Sequence, residues 1–92
     1  MKRTGLGHFT SHGDFHYTGE FLNNNFHGKG KVFLPNGITY EGDFQIGKRH
    51  GFGLQKANGY TFEGNFSKNI WVEGKLTNQN GSIYEGPFKF NL

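Results

Sequence analysis

The sequence predicts an all-β fold, one elongated, single-layer, twisted antiparallel sheet of tandem β-hairpins. Three observations carry that expectation. An aromatic-x-Gly-x-Phe motif recurs four times at a nearly constant step, Asn-Gly pairs fall between its copies, and no window spaces apolar residues as a helix does. The 92 residues suffice for one domain, and a compact core of that size is marginal because much of its surface stays wet. Hydrophobic residues are only 33%, yet 17% are aromatic and 16 residues are glycine, so apolar area is concentrated in a few rings set among turn formers.

The motif reads Tyr17-Thr18-Gly19-Glu20-Phe21, Tyr40-Glu41-Gly42-Asp43-Phe44, Phe62-Glu63-Gly64-Asn65-Phe66 and Tyr84-Glu85-Gly86-Pro87-Phe88, with steps of 23, 22 and 22 residues. His27-Gly28-Lys29-Gly30 and His50-Gly51-Phe52-Gly53 keep the same phase. These define a single domain, 1–92: a partial repeat over 5–16, repeats over 17–39, 40–61 and 62–83, and a half repeat over 84–92. In the third unit, Val72-Glu73-Gly74-Lys75-Leu76 reads as a one-residue insertion with leucine at the place of the second glycine.

Alternate residues of a strand share a face, so Tyr40, Gly42 and Phe44 are expected on one side and Glu41 and Asp43 on the other. The glycine between two rings leaves a hole where a neighbouring ring lies against bare backbone. Half-burying such a ring contributes roughly 2–3 kcal/mol, so stacked rings take the place of a thick core. Asn36-Gly37, Asn58-Gly59 and Asn80-Gly81 predict one set of tight turns with positive backbone angles. A second set is expected at Asn23-Asn24-Asn25, Ile46-Gly47-Lys48 and Lys68-Asn69-Ile70, giving about eight strands. Stability in such an array comes from neighbouring units, and no unit folds alone.

From Gly5 to Phe88, the succession of His-Gly-x-Gly, Asn-Gly and Tyr-x-Gly-x-Phe resembles the MORN repeat. The resemblance implies a non-enzymatic scaffold or adaptor that presents its repeat aromatics to a partner protein, a helix or an extended segment. Many members belong to cytoskeletal, ciliary or flagellar assemblies. The motif residues that this implies for partner binding are Tyr17, Phe21, Tyr40, Phe44, Phe62, Phe66, Tyr84 and Phe88, on the argument that a single layer cannot hide its aromatic stripe. Trp71 joins them as the one large residue that breaks the repeat, either in an exposed apolar cluster with Ile70 and Val72 or folded over to seal the sheet. The family is also associated with anionic lipid, and Lys29, Lys31, Lys48, Arg49 and Lys68 are the residues for a basic edge. At about 1 kcal/mol per basic residue, three or four supply about 3–4 kcal/mol, a dissociation constant of about a millimolar or weaker.

Other classes are disfavoured by what the chain carries. It has no cysteine, which removes disulfides and thiolate metal sites and predicts an intracellular, cytoplasmic setting. Its opening residues lack the apolar run of a secretory signal, and no stretch reaches transmembrane length. A net charge of +3 without an arginine-rich run falls short of a nucleic-acid signature. His8, His12 and His16 recur every four residues, but along a strand that is about 13 Å, too far to share an ion. Gly28-x-Gly30 and Gly51-x-Gly53 lack the third glycine and the helix of a phosphate loop. Glu20, Glu41, Glu63 and Glu85 form a ladder at one repeat position and read as solvated strand residues. No catalytic residue, metal, cofactor or small-molecule substrate is expected. Pro87, without an N–H, leaves the hydrogen-bonding edge of the last strand incomplete.

Overall fold

The computed structural model describes residues 4–88 and consists of strands and their connections. Eight strands follow in chain order: β1 Gly5–Ser11, β2 Phe15–Leu22, β3 Asn25–Phe33, β4 Thr39–Gln45, β5 Lys48–Lys56, β6 Tyr60–Ser67, β7 Ile70–Asn78 and β8 Ile83–Pro87. They form one antiparallel sheet in that same order, so every pairing is between chain neighbours. This is the tandem-hairpin sheet that the repeat predicts.

The register explains the glycines. Gly7, Gly19, Gly30, Gly42, Gly53, Gly64, Gly74 and Gly86 stand opposite one another in successive pairs, a row without side chains that crosses all eight strands. At this row the sheet bends. The rings of Tyr17 and Phe21, four residues apart, have centroids 5.1 Å apart, as do Tyr40 and Phe44, where an extended strand would separate such residues by about 13 Å. The tyrosine hydroxyls reach back to their own strand: Tyr17 donates to the Glu20 carbonyl at 2.6 Å and Tyr40 to that of Asp43 at 2.7 Å. The extents of 46 × 24 × 23 Å describe a rod of nearly square section, which a flat layer would not have.

Inside the bend, the neighbouring strand's glycine supplies the floor on which each ring lies. A Cβ on Gly30 would come within 2.6 Å of the Tyr17 ring, and one on Gly53 within 2.5 Å of the Tyr40 ring. Both overlaps are far inside van der Waals contact, so a side chain at either position displaces a core ring. The hole is therefore not at the glycine between the two rings of the motif, as expected: Gly19 and Gly42 face the backbone of the paired strand, and the ring lies on the paired strand's own glycine.

The two sets of turns differ from expectation. Asn23-Asn24, Ile46-Gly47 and Lys68-Asn69 are the two-residue turns, with φ of 50° and 71°, 48° and 76°, and 49° and 73°, the double positive angles that match strand twist. The Asn-Gly pairs close wider loops in which only Gly37 and Gly81 are left-handed. Gly37 donates to the Leu34 carbonyl at 3.0 Å and Leu34 to that of Ile38 at 2.8 Å. The asparagines act through their side chains, Asn36 accepting from the Ile38 N–H at 3.2 Å and Asn80 from that of Ser82 at 3.0 Å.

The third unit is also aligned differently. Gly74 pairs with Gly64 and Gly86, so it occupies the second glycine position, and Leu76 pairs with Phe62 and Tyr84 where Val32 and Gln55 stand in the earlier units. The chain between Trp71 and Gly74 is one residue shorter than between Phe26 and Gly30, a deletion and not an insertion. Turn-to-strand hydrogen bonds couple successive units, from Gly47 N–H to the Phe26 carbonyl and from Asn69 N–H to that of Arg49, each 2.9 Å.

Candidate partner-binding face

Bending at the glycine row changes which aromatics a partner can reach. Tyr17, Phe21, Tyr40, Phe44, Phe62 and Phe66 are all buried, none above 6% exposed, and with Val32 they form the core. The expectation that a single layer leaves this stripe open is corrected, because the two halves of each strand fold toward each other and cover it. Of the repeat aromatics assigned to a partner from sequence, Tyr84 is exposed and Phe88 is partly buried against the core.

Trp71 does not break the repeat. It shares a repeat position with Phe26 and Arg49, each set opposite the second ring of its unit: Phe26 opposite Phe21, Arg49 opposite Phe44 and Trp71 opposite Phe66. Phe26 stacks on Tyr17 with centroids 3.8 Å apart, and Trp71 stacks on Phe62 at 4.5 Å. Trp71 therefore packs on the core as a partly buried ring, with Ile70 and Val72 exposed beside it.

In the middle unit the planar guanidinium of Arg49 takes the place of the stacked ring, 5.9 Å from the Tyr40 centroid and 5.6 Å from that of Phe66. Its surroundings changed with it. Arg49 donates to Gln55 Oε1 at 2.7 Å, to Asn69 Oδ1 at 3.2 Å and to the Asn69 carbonyl at 3.3 Å, and Gln55 donates onward to the Tyr60 hydroxyl at 2.7 Å. Gln55 is the buried polar side chain of the core, at the position of Val32 and Leu76. Burial holds the Arg49 pKa below its ordinary value and raises those of Tyr17 and Tyr40.

Beside this network lies a partly enclosed cavity of about 160 Å³ walled by Phe15, Phe26, Leu34 and Phe44, with Arg49 and Asn69 on one side. Repeat spacing identified Arg49 only as a basic residue. Comparing position 49 with 26 and 71 would have shown the exchange of a ring for a cation.

The basic residues divide between surfaces. Lys29 forms an ion pair with Asp43 at 2.5 Å, and Lys31 stands opposite Glu41 in the β3–β4 register, both on the strand face away from the core. Lys48 and Lys68 lie at the two-residue turns, and Arg49 belongs to the core face. Glu20, Glu41, Glu63 and Glu85 are exposed, as a solvated ladder requires. The spacing argument for histidines held only within one strand: across β1 and β2, His8 and His16 meet with ring centroids 6.1 Å apart, and His8 Nδ1 lies 2.7 Å from Thr18 Oγ1. Among the described residues no cluster of three metal-ligating side chains accompanies them. No helix long and apolar enough to cross a membrane is present among the described residues.

The fold and its glycine-and-ring skeleton are those of a β-hairpin repeat protein with a curved inner face. MORN repeats are matched at residues 17–39, 40–59 and 62–83, and the chain belongs to the MORN repeat family. It is 46% identical over 55 residues to MORN repeat-containing protein 3 of Xenopus laevis. That match covers 56% of this chain and 23% of the relative, so the chain spans about a quarter of the curated relative it matches. MORN repeats are known in protein- and membrane-binding roles, and the family is generally non-enzymatic.

Proposed function

We propose that this chain is a non-catalytic, protein-binding repeat module that serves as a scaffold or adaptor within a larger assembly. The observation that carries the reading is the cavity on the inner face, where half-buried rings and an arginine stand open between two repeats. An open apolar wall continuous with the core favours a protein segment over solvent. The setting in an intracellular cytoskeletal or ciliary assembly rests on family likeness alone. Lipid attachment is the weaker reading, because Lys29 and Lys31 face carboxylates across the strands and so have less charge to offer a membrane.

The test places a photo-crosslinking amino acid at Leu34, on the cavity wall, and in a second protein at Thr18, exposed on the opposite face. Proteins captured from Leu34 and absent from Thr18 are the expected result. Capture only from Thr18, or co-sedimentation with anionic vesicles at physiological salt without any protein adduct, would overturn it.

A further inference from the structure

The middle repeat departs from its neighbours at three positions: Arg49 lines the cavity, Gln55 is hydrogen-bonded to Arg49, and Ile46 precedes the lining residue Gly47 in the chain. Arg49 replaces the ring found at Phe26 and Trp71, and Gln55 replaces the aliphatic Val32 and Leu76. Ile46, at 68% exposure, replaces Asn23 and Lys68 in the turn that supplies Gly47 to the cavity wall. Each exchange works against the fold. A guanidinium and an amide enter an aromatic core, and a β-branched residue takes φ of 48°, in the left-handed region such residues avoid.

Arg49 is held in place without being neutralised. Its hydrogen-bond acceptors are an amide oxygen of Gln55 and two oxygens of Asn69, all uncharged, and among the described residues it forms no ion pair with a carboxylate. A guanidinium carries five N–H donors. Three are used, so two remain. The cavity beside it is about 160 Å³, close to the roughly 150 Å³ that holds a benzene-sized group.

On the protein-binding reading above, we infer that the cavity takes an aliphatic or aromatic side chain of a partner segment while Arg49 receives a carboxylate from an Asp or Glu a few residues away along that segment. One guanidinium fork matches one carboxylate. A phosphate or clustered lipid headgroups would call for a second cation on the same face, and Lys48, the chain neighbour of Arg49, alternates to the other side of β5. Exposed Ile46, next in the chain to the lining residue Gly47, presents an apolar side chain where the equivalent turns present Asn23 and Lys68. Gln55 and Asn69 are positioning residues that aim the guanidinium.

The experiment is selection of a random 12-residue peptide library on phage against the full chain, followed by affinity measurement with synthetic peptides. The expected consensus pairs an Asp or Glu with a large apolar residue within one to four positions. Changing that acid to its amide in the peptide should weaken binding about tenfold or more, the scale of one charge-assisted hydrogen bond. Arg49→Phe with Gln55→Val copies the first repeat. It should melt at or above the wild-type temperature, lose the same factor, and show little further loss with the amide peptide. Selected peptides without an acidic residue, or bound equally by the double variant, would sink the arginine assignment while leaving protein binding intact. The acid-to-amide change decides the matter even if the variant fails to fold. A selection that enriches nothing would count against both readings. Loss of binding to phosphatidylserine vesicles in the double variant, without peptide binding, would hand Arg49 to lipid instead.

Discussion

The first and middle repeats share a backbone and differ in what they place on it. In the first, Phe26 stacks on Tyr17 and Val32 lies buried opposite, a wholly apolar arrangement. In the middle, Arg49 lies over Tyr40 and is tied to Gln55. Both keep the glycine row, the buried ring pair and a two-residue turn. The skeleton is thus set by glycine and the first and second rings. The third inner position tolerates exchange, provided its partner across the face changes with it.

The sharpest test of a shared skeleton is to fill the glycine row. Gly53→Val should cost about 4 kcal/mol or more, since its side chain would displace the buried Tyr40 ring. Chemical denaturation measures it. Gly59→Ala, at a glycine with open space and no left-handed backbone, should change stability by less than about 0.5 kcal/mol. Equal losses at both sites would mean that glycine composition, and not the close approach at the row, explains the fold.

Coupled exchange is tested by moving the arginine alone. Phe26→Arg places a guanidinium in a repeat where Val32, six residues on along β3, stands in the place of Gln55 and offers no acceptor, and should cost about 2–4 kcal/mol. Adding Val32→Gln should recover part of that loss. Absence of recovery in the double variant would show that the middle repeat's network depends on more than Gln55.

A smaller gain is expected at the turn. Ile46→Asn puts into a left-handed position the residue that the first repeat uses there, and should stabilise by about 1 kcal/mol in thermal unfolding. Affinity for the selected peptides should fall at the same time, separating the turn's structural role from a contact beside the cavity.

Tyr40→Phe should be similarly mild, because Phe62 already fills the same position without a hydroxyl. Loss of the bond to the Asp43 carbonyl should cost about 0.5–1.5 kcal/mol at neutral pH. Burial raises the pKa of Tyr40, so the folded state holds that proton more tightly than the unfolded chain. The stability involved is fully present below the ordinary value of 10.0 and is lost as pH rises through it toward the folded pKa. Urea melts above pH 10 should therefore fall more steeply for wild type than for Tyr40→Phe.

Sequence alone determined the strand number, the all-β class, the repeat phase and where both sets of turns fall, but assigned the tight turns to the wrong set. These follow from alternation along a strand and from residues within a few positions of one another. That rings pack against bare glycine backbone was legible, but the glycine that receives each ring lies on the paired strand and not between the two rings of the motif. Tertiary structure decided the rest. A bend at the glycine row brings residues four apart along one strand within about 5 Å, so rings that strand geometry alone leaves open became the core. Pairing across the sheet decided that Gly74, not Leu76, continues the glycine row and that His8 meets His16. Arg49 in sequence is one of ten basic residues. Its identity as a half-buried cation without a carboxylate depends on Tyr40, Gln55 and Asn69, which local chain geometry cannot bring together because Asn69 lies 20 residues away and arrives through the next hairpin.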